Sequence, residues 1–437
     1  MQQKNKLLVN VKNQRVWYLV IIILLFIGIS LIFSFPDLFG LYFVPQKLFS
    51  ENVYSFVKEN RAICLWLEAP FPPLYYIVIG LYMNIVSFFH LLPQYFFEVK
   101  KCAVFEMILN PVFLFYAKIP YLLFHILSAW LFSKFLNKDR WNWFLFWLLN
   151  PILIFVCFIH GQYDIIPVFF ILLYQYFLEK GNENKSALAL GIGGALKHFP
   201  FLLLLPTIIY IFKTKKEKTL SYLGLAILPY VCSYILLRGP HTLSVFLFSE
   251  NYRLFDLGFS IGSQKVSIYL LFYFLTSWFL FEKRNINLFE LRKTNVYIML
   301  GFYVCVFWFG QWLSYLLPLL FLVFINFPKL GKYLIVMNYL FFLYILVTFP
   351  GLFDSSLLKP IISGAVSHPL FIQISTSTPV KLIILPAFNS LFIWLGYLIA
   401  PLKKSEGYGF AITTNEIALH ISPLILYILA LILFVSR

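Results

Sequence analysis

Residues 141–179 decide the class of this protein. They read WNWFLFWLLNPILIFVCFIHGQYDIIPVFFILLYQYFLE, two apolar runs joined by the pentapeptide HGQYD at 160–164. The runs 141–159 and 163–179 each approach the length of about 20 apolar residues that crosses a bilayer as a helix. Polar and ionisable side chains are costly at a membrane and generally carry function there. The stretch therefore predicts two membrane helices with a polar site where they meet.

The whole chain is too apolar for a soluble protein. Of its 437 residues 61% are hydrophobic and only 12% are charged, and the mean hydropathy is +0.84. Soluble domains average about 25% charged residues. Because apolar runs recur from Trp17 to Val435 without a long polar interruption, we expect one polytopic helix bundle rather than several soluble domains.

Hydropathy predicts an all-α transmembrane bundle of about 13 to 15 membrane segments. Two long regions are interrupted: 102–136 near Lys118-Ile119-Pro120, and 186–212 at Lys197-His198-Phe199-Pro200. Proline removes a backbone donor and clashes with the preceding turn, so we expect both regions to break there. The mixed aromatic and charged composition of 36–70 predicts interfacial helices in this first loop. The single runs are 17–35, 71–93, 141–159, 163–179, 217–237, 266–281, 295–309, 312–327, 333–350, 380–400 and 416–435.

The placement of lysine and arginine predicts the orientation. Of the 34 basic residues, 21 lie in the N-terminal segment and in alternate loops, against 11 in the intervening loops, with Lys100 and Lys101 near the basic face. The more basic face is expected to be cytoplasmic, with the N-terminus on that side. The net charge of +16 is then explained mostly by the basic residues of the cytoplasmic loops, and no nucleic-acid partner is expected. The loops predicted to lie outside are 36–70, 160–164, 238–265, 309–311 and 352–379.

Nine polar side chains at the predicted outer face form the candidate site. Asp37 directly follows the first span, where a carboxylate can serve as a general base or a metal ligand. A lysine within the bilayer region, Lys197, needs a phosphate or an acidic side chain beside it. Arginine suits phosphate through paired hydrogen bonds. For each residue, an ordinary loop or helix-end charge is the alternative role. The candidates are Asp37, Glu68, His160, Gln162, Asp164, Lys197, His198, Arg253 and Gln311.

Motifs of several other classes are absent from the sequence. It contains no Walker loop and no HExxH. The five cysteines are scattered, and no pair has a spacing that predicts a disulfide or a metal site. An ATP-driven pump and a zinc protease are therefore not indicated.

The order of the motifs resembles the GT-C superfamily of integral-membrane glycosyltransferases. The resemblance covers roughly residues 30–320, and it is strongest to the mannosyltransferase-like branch that uses polyprenyl-phosphate sugars. Asp37 stands alone rather than in an Asp-x-Asp pair, and Gly310 stands where a proline is common. The motifs are Asp37 after the first span, PFPPLYY at 70–76, KIP at 118–120, LNP at 149–151, HGQYD at 160–164, ALKHFP at 195–200 and GQWLSYLLP at 310–318.

The resemblance implies a hexosyltransferase. It would take a sugar, with mannose the first candidate, from a polyprenyl- or dolichyl-phosphate donor at the outer face and pass it with inversion to a lipid-linked or glycan acceptor. Asp37 would be the general base. No metal ligand is assigned, and Mg²⁺ or Mn²⁺ stays an open question. Lys197, His198 and Arg253 would stabilise the leaving phosphate, and Glu68, His160, Gln162, Asp164 and Gln311 would bind the substrates.

Two modules and one location are expected. Residues 1–237 would form the catalytic transmembrane module, and residues 238–437 a second module that completes the lipid and acceptor groove. The protein would be a multi-pass component of a bacterial plasma membrane, surrounded by membrane lipids. Two alternatives come from other classes: a transporter or flippase, and a lipid-linked glycan polymerase or ligase.

Overall fold

The fold is a bundle of α-helices. A computed structural model describes residues 2–33, 72–89, 110–136, 139–237, 264–306, 310–325, 331–348, 378–402 and 414–436, with short pieces at 41–42, 45, 91, 258–261, 327 and 366–367. Apart from two short strand pairs, the regular structure within these residues is helical, which confirms the all-α prediction.

Fifteen α-helices lie within the described part of the chain. A π-helical turn covers Phe155–Ile159, and β1 (Gly258–Ile261) pairs antiparallel with β2 (Gln264–Ser267), as does β3 (Val366–Ser367) with β4 (Val435–Ser436). Turns of 3₁₀-helix cover Phe199–Leu203, Lys216–Lys218 and Gly310–Tyr315. The helices are α1 (Gln2–Ile32), α2 (Pro73–Phe88), α3 (Pro111–Ser133), α4 (Arg140–Leu148), α5 (Pro151–Ile154), α6 (Ile165–Glu179), α7 (Glu183–Leu196), α8 (Leu204–Thr214), α9 (Thr219–Leu237), α10 (Ile268–Glu282), α11 (Leu288–Cys305), α12 (Leu317–Phe324), α13 (Gly331–Thr348), α14 (Thr378–Ile399) and α15 (Thr414–Phe434).

Several helices are long and apolar enough to cross a membrane. These are Gln14–Ile32 within α1, Pro111–Ser133 and Lys216–Leu236. α4 and 151–159 together have the same length and composition but are bent by 44°, as in a broken span or a re-entrant loop. Eight shorter apolar helices accompany them in the described residues. The predicted total of 13 to 15 segments stays a prediction, because much of 34–71 and 92–109, including the predicted interfacial helices, lies outside the described residues.

Apolar side chains also cover the outside of the bundle. Phe88, Leu220, Leu236 and Trp278 are all exposed, although each belongs to an apolar helix. A surface of this kind is stable against lipid tails and unstable against water. The apolar exterior therefore agrees with a membrane location.

One of the two predicted helix breaks is confirmed. Residues 186–212 form α7 and α8, separated at Lys197 and the 3₁₀ turn that contains Pro200. The predicted break near Lys118 is wrong, because α3 runs without interruption from Pro111 to Ser133. Pro120 deprives the carbonyl of Tyr116, four residues earlier, of its helical donor. The hydroxyl of Tyr82 on α2 donates to that carbonyl instead, so the helix continues past the proline.

Charged side chains join the helix ends at the face rich in lysine and arginine, hereafter the basic end. The buried Glu183 carboxylate accepts hydrogen bonds from Lys215 and, at 2.7 Å, from Lys218. Burial alone would raise the pKa of Glu183, but the two lysines outweigh it and hold that pKa below its ordinary value. Arg292 on α11 pairs with Glu179 at the end of α6 at 2.8 Å. The Glu183 pairs tie α7 to the turn between α8 and α9, and the Arg292 pair ties α6 to α11.

The close approach of α7 to α9 depends on a glycine. A Cβ atom on Gly191 would lie 2.2 Å from the carbonyl oxygen of Ala226 and 2.9 Å from its carbonyl carbon. Backbone atoms cannot move aside as a flexible side chain can, so the two helices approach this closely only without a side chain here. This contact fixes the position of α7, the helix that ends at Lys197.

Candidate active site

Asp164 lies where the chain turns back into the bundle. α5 and the π-helical turn lead to this point, and Gly161, with a φ of 75°, adopts the left-handed conformation that the reversal requires. The main-chain N–H of Gln162 donates to the carbonyl of Val156 at 2.8 Å, which ties the reversal to the π-helical turn. Asp164 is the residue before α6 begins, so its backbone is fixed by the reversal on one side and by α6 on the other.

Asp164 forms a buried ion pair with Lys197. The Lys197 ammonium nitrogen is 2.7 Å from Asp164 Oδ1, and the two side chains are only 6% and 0% exposed. The hydroxyl of Tyr315 donates to the same oxygen. Oδ2 is also buried, and no described residue donates a hydrogen bond to it. Because buried carboxylate oxygens are normally hydrogen-bonded, Oδ2 is an acceptor that a hydroxyl group can satisfy.

Lys197 is presented by the end of α7. Its backbone is extended (φ −157°, ψ 140°), and its N–H still donates to Gly193 O at 3.0 Å. The ammonium lies 4.9 Å from the ring centroid of Tyr163, a cation–π contact. That ring packs on Tyr75 with centroids 4.3 Å apart. The lysine is therefore oriented by a carboxylate and by an aromatic face.

Tyr315 was missed by the sequence analysis. From the segment GQWLSYLLP the candidate was Gln311, but the residue that reaches Asp164 is Tyr315, at the end of the 3₁₀ turn. Its ring stacks on Phe199 at 4.6 Å and 17°, next to the break that presents Lys197. The only available signal was a tyrosine inside a segment that the family resemblance had already marked.

Lys118 was also missed, although its motif was noted. Its ammonium is buried in the bundle and donates to three main-chain carbonyls: Ser30 at 3.1 Å, Phe33 at 2.6 Å and Phe158 at 2.7 Å. Two of these belong to the end of α1, where carbonyls lack helical donors. The third belongs to the π-helical turn that leads to His160. One charge thus ties the end of the first helix to the segment that carries Asp164.

Two further candidates adjoin Asp164 in sequence. His160 and Gln162 are both buried, and the His160 ring lies parallel to that of Phe155 at 6.0 Å. They belong to the same reversal and line it from within the bundle.

The other candidates differ in how the structure places them. His198, next to Lys197, is partly buried, with its ring 6.1 Å from that of Tyr230. Gln311 is partly buried in the same 3₁₀ turn as Tyr315, and its carbonyl accepts from Ser314 at 2.8 Å. Three candidates lie outside the described residues: Asp37, Glu68 and Arg253.

The described residues contain no cluster suited to a metal ion. No group of three or more histidine, cysteine, aspartate and glutamate side chains comes together among them. The one carboxylate in the cluster described here, Asp164, already accepts from an ammonium and a hydroxyl. These residues therefore do not fit Mg²⁺ or Mn²⁺, which favour oxygen ligands and several of them.

The family follows from a comparison with known proteins. A family model described as glycosyltransferase family 87 matches residues 83–325, which is 243 of the 437 residues. The chain belongs to glycosyltransferase family 87. Family 87 is a family of GT-C-type membrane glycosyltransferases, so the resemblance seen in the motifs and the expectation of a transferase are both confirmed. No curated protein matches the chain. The matched region includes Asp164, Lys197 and Tyr315.

Proposed function

We propose that this family 87 member transfers a hexose from a polyprenyl- or dolichyl-phosphate donor to a lipid-linked or glycan acceptor on the outer face of a bacterial plasma membrane, with mannose the first candidate. The observation that carries the proposal is the buried Asp164–Lys197 pair, which lies away from the basic end of the bundle. The basic end is expected to face the cytoplasm. An extracytoplasmic site has no nucleotide sugars, so a lipid-phosphate sugar is the natural donor.

The proposed reaction moves one proton and one sugar. The Asp37 carboxylate takes the proton of the acceptor hydroxyl, and the acceptor oxygen bonds to the anomeric carbon from the face opposite the phosphate. The bond between that carbon and the phosphate oxygen breaks, and its electron pair stays on the lipid phosphate. The configuration at the anomeric carbon inverts. Negative charge grows on the phosphate, where preorganised donors and cations stabilise it.

The described cluster supplies groups for both parts of this proposal. Lys197 is a buried cation for the phosphate, and we assign His198 and Arg253 to the same task. Asp164 offers Oδ2 to a sugar hydroxyl while its other oxygen is occupied. His160, Gln162, Glu68 and Gln311 are proposed to complete the substrate contacts.

Lys118 supports the assignment of Asp37 as the base. Phe33, whose carbonyl it binds, is four residues before Asp37, and Phe158, whose carbonyl it also binds, is two residues before His160. The end of α1, four residues before Asp37, is therefore tied to the turn that leads to the HGQYD segment.

We also propose that both parts of the chain serve one site. Residues 1–237 remain the proposed catalytic module, and residues 238–437 the module that completes the groove. Tyr315, from the second, donates to Asp164, from the first. Such a contact is expected if the second module helps to shape the substrate site.

The first experiment is sugar transfer from radiolabelled polyprenyl-phosphate mannose and glucose in membranes that contain the native chain, Asp37→Asn or Asp139→Asn. Asp139 is an exposed aspartate before α4 at the basic end, and its left-handed conformation (φ 50°) accepts asparagine well. We expect transfer by the native chain and by Asp139→Asn, and a loss of two or more orders of magnitude for Asp37→Asn.

Other outcomes would contradict separate parts of the proposal. Equal transfer by all three chains would remove Asp37 from the mechanism. No transfer by the native chain from either donor would contradict the proposed donors. Products that carry many sugars would favour the polymerase alternative over a single transfer. Family 87 membership favours a transferase over the transporter alternative.

A further inference from the structure

A second buried polar cluster lies inside the bundle, apart from the proposed reaction. It consists of Asn150 at the bend between α4 and α5, Asn338 on α13 and His420 on α15, with at most 1% of each side chain exposed. The ring of His420 stacks on Phe146 at 4.1 Å. Asn338 and His420 lie beyond the region matched by family 87. Polar groups inside a membrane protein are costly unless they are paired, so this cluster calls for a specific role.

The hydrogen bonds of Asn150 determine the tautomer of His420. Asn150 Oδ1 accepts from the main-chain N–H of Leu153 at 3.1 Å and thereby caps α5. The Asn150 amide nitrogen, which can only donate, faces His420 Nε2 at 3.1 Å. Nε2 must therefore be the acceptor, and a neutral imidazole then carries its proton on Nδ1.

The third member of the cluster fits this tautomer. The two ends of the Asn338 side-chain amide have nearly the same shape, and its nitrogen is placed 2.9 Å from His420 Nδ1 and 3.4 Å from the main-chain carbonyl oxygen of His420. An Nδ1–H donor requires the amide oxygen at that position, and the orientation of an asparagine amide is assigned from such hydrogen bonds. This orientation gives a donor to Asn338 Oδ1, which is buried and otherwise accepts from no described residue, and in exchange the amide nitrogen gives up its longer contact of 3.4 Å with the main-chain carbonyl of His420. The order of donors is thus Asn150 to His420 to Asn338.

We infer that His420 is a positioning residue that fixes the bend at Asn150, and through it the π-helical turn that leads to Asp164. Asn150 caps α5, α5 continues directly into the Phe155–Ile159 turn, and His160 follows. Asn150 makes one hydrogen bond with each end of its side-chain amide: its oxygen caps α5, which leaves the bend, and its nitrogen donates to His420 on α15. The role in transfer rests on the function proposed above, whereas the role at the bend does not.

Three substitutions of His420 separate its two ring nitrogens. His420→Gln places an amide oxygen near the position of Nε2 and keeps the acceptor for Asn150. His420→Asn reaches only the position of Nδ1 and keeps the contact with Asn338. His420→Phe keeps the aromatic ring against Phe146 and loses both hydrogen bonds. A role in filling space would favour phenylalanine, whereas the inferred role favours glutamine alone.

Native cysteines report the result without an activity assay. Cys157 is fully buried in the π-helical turn, Cys305 is partly buried on α11, and Cys232 is exposed on α9. We would label the full chain in detergent with N-ethylmaleimide and quantify each cysteine by peptide mass spectrometry. Labelling of Cys157 should rise about tenfold in His420→Asn and His420→Phe, a factor that corresponds to about 1.4 kcal/mol. It should stay at the native rate in His420→Gln, with Cys232 and Cys305 unchanged in all variants.

Three results would overturn the inference. One is equal labelling of Cys157 in all four chains. Another is native labelling in His420→Phe, which would make the ring a space-filling group. The third is a parallel rise at Cys157 and Cys305, which would show general loosening of the fold rather than a local effect at the bend.

Sugar transfer gives a second test of the same residue. We expect His420→Asn and His420→Phe to lower kcat about tenfold with KM for the donor unchanged, because His420 touches no substrate, and His420→Gln to keep native kcat. Absence of transfer in the native chain would count against the proposed function alone, since cysteine labelling still decides the role at the bend. An equal loss of kcat in all three variants would overturn the inferred positioning role.

Discussion

Removing the ammonium of Lys197 is the sharpest perturbation of the proposed site. Lys197→Met keeps an unbranched apolar stem, one atom shorter than that of lysine, but leaves Asp164, a fully buried residue, without its cation. A matching substitution, Asp164→Asn, removes the opposite charge. The double variant has neither charge and fills nearly the same volume. Comparison of the three separates the cost of an unpaired charge from the value of the pair itself.

The expected magnitudes follow from the geometry of the pair. Two unit charges 2.7 Å apart attract by about 6 kcal/mol at an effective dielectric constant of about 20. Withdrawing each ion from water costs several kcal/mol, so the intact pair adds little net stability. Removing one partner alone is expected to lower the free energy of unfolding by about 3–5 kcal/mol. The double variant is expected within about 1 kcal/mol of the native protein, because neutral replacement of a buried pair is often harmless.

The assay is reversible unfolding in mixed detergent micelles, followed by circular dichroism. The matched control is Lys283→Met, which breaks the more exposed pair of Lys283 with Glu290 and should cost about 1 kcal/mol or less. Sugar transfer is measured on the same samples. The double variant should be stable and inactive. A double variant as unstable as Lys197→Met, or a single variant that costs no more than the control, would refute the reasoning.

Three other substitutions probe the frame around the site. Gly191→Ala should destabilise the protein by about 1–3 kcal/mol, because the new methyl group pushes α7 away from α9. The control Gly224→Ala, whose new methyl group meets no atom within 4 Å, should be neutral or stabilise the protein by up to about 1 kcal/mol. Equal thermal midpoints for the two variants would contradict the close approach of the helices. Because the pKa of Glu183 is lowered in the folded protein, its contribution to stability is present above the ordinary value of about 4.5 and is lost as the pH falls further. Glu183→Gln should therefore lower the thermal midpoint at pH 7, and its difference from the native protein should shrink as the pH falls below about 4.5. A difference that stays constant as the pH falls would count against the pairing. Lys118→Met leaves buried carbonyls without donors at about 1–3 kcal/mol each, so both the thermal midpoint and sugar transfer should drop, and unchanged transfer would separate this residue from the site.

The sequence predicted the helical class and the segment that carries Asp164 because hydropathy and local polarity are enough for both. The break at Lys197 was predictable for the same reason, since a lysine three residues before Pro200 is a local signal for a helix end. The break at Pro120 was predicted wrongly, because the donor that replaces the missing N–H comes from Tyr82, 38 residues away in the chain. No local rule contains that contact.

The partners within the site were the least predictable part. Asp164 and Lys197 were both expected in the site, but nothing in their spacing showed that they would pair with each other. Tyr315 is 151 residues from Asp164, and its selection over Gln311 depends on how the 3₁₀ turn rotates toward α6. Lys118 was read as a helix-breaking motif, because its role depends on carbonyls from two distant segments. Tertiary contacts of this kind need the packed bundle.

The ion pair also bears on how the chain enters the membrane during synthesis. Asp164 and Lys197 are 33 residues apart, so at about 5–20 residues per second the lysine follows the aspartate from the ribosome within about 2–7 s. Tyr315, 151 residues after Asp164, follows within about 8–30 s. α6 and α7 can thus insert as a hairpin whose two charges neutralise each other at one end. The tyrosine then arrives at a carboxylate that already has its counter-ion, and the order of synthesis matches the order in which these costly groups find partners.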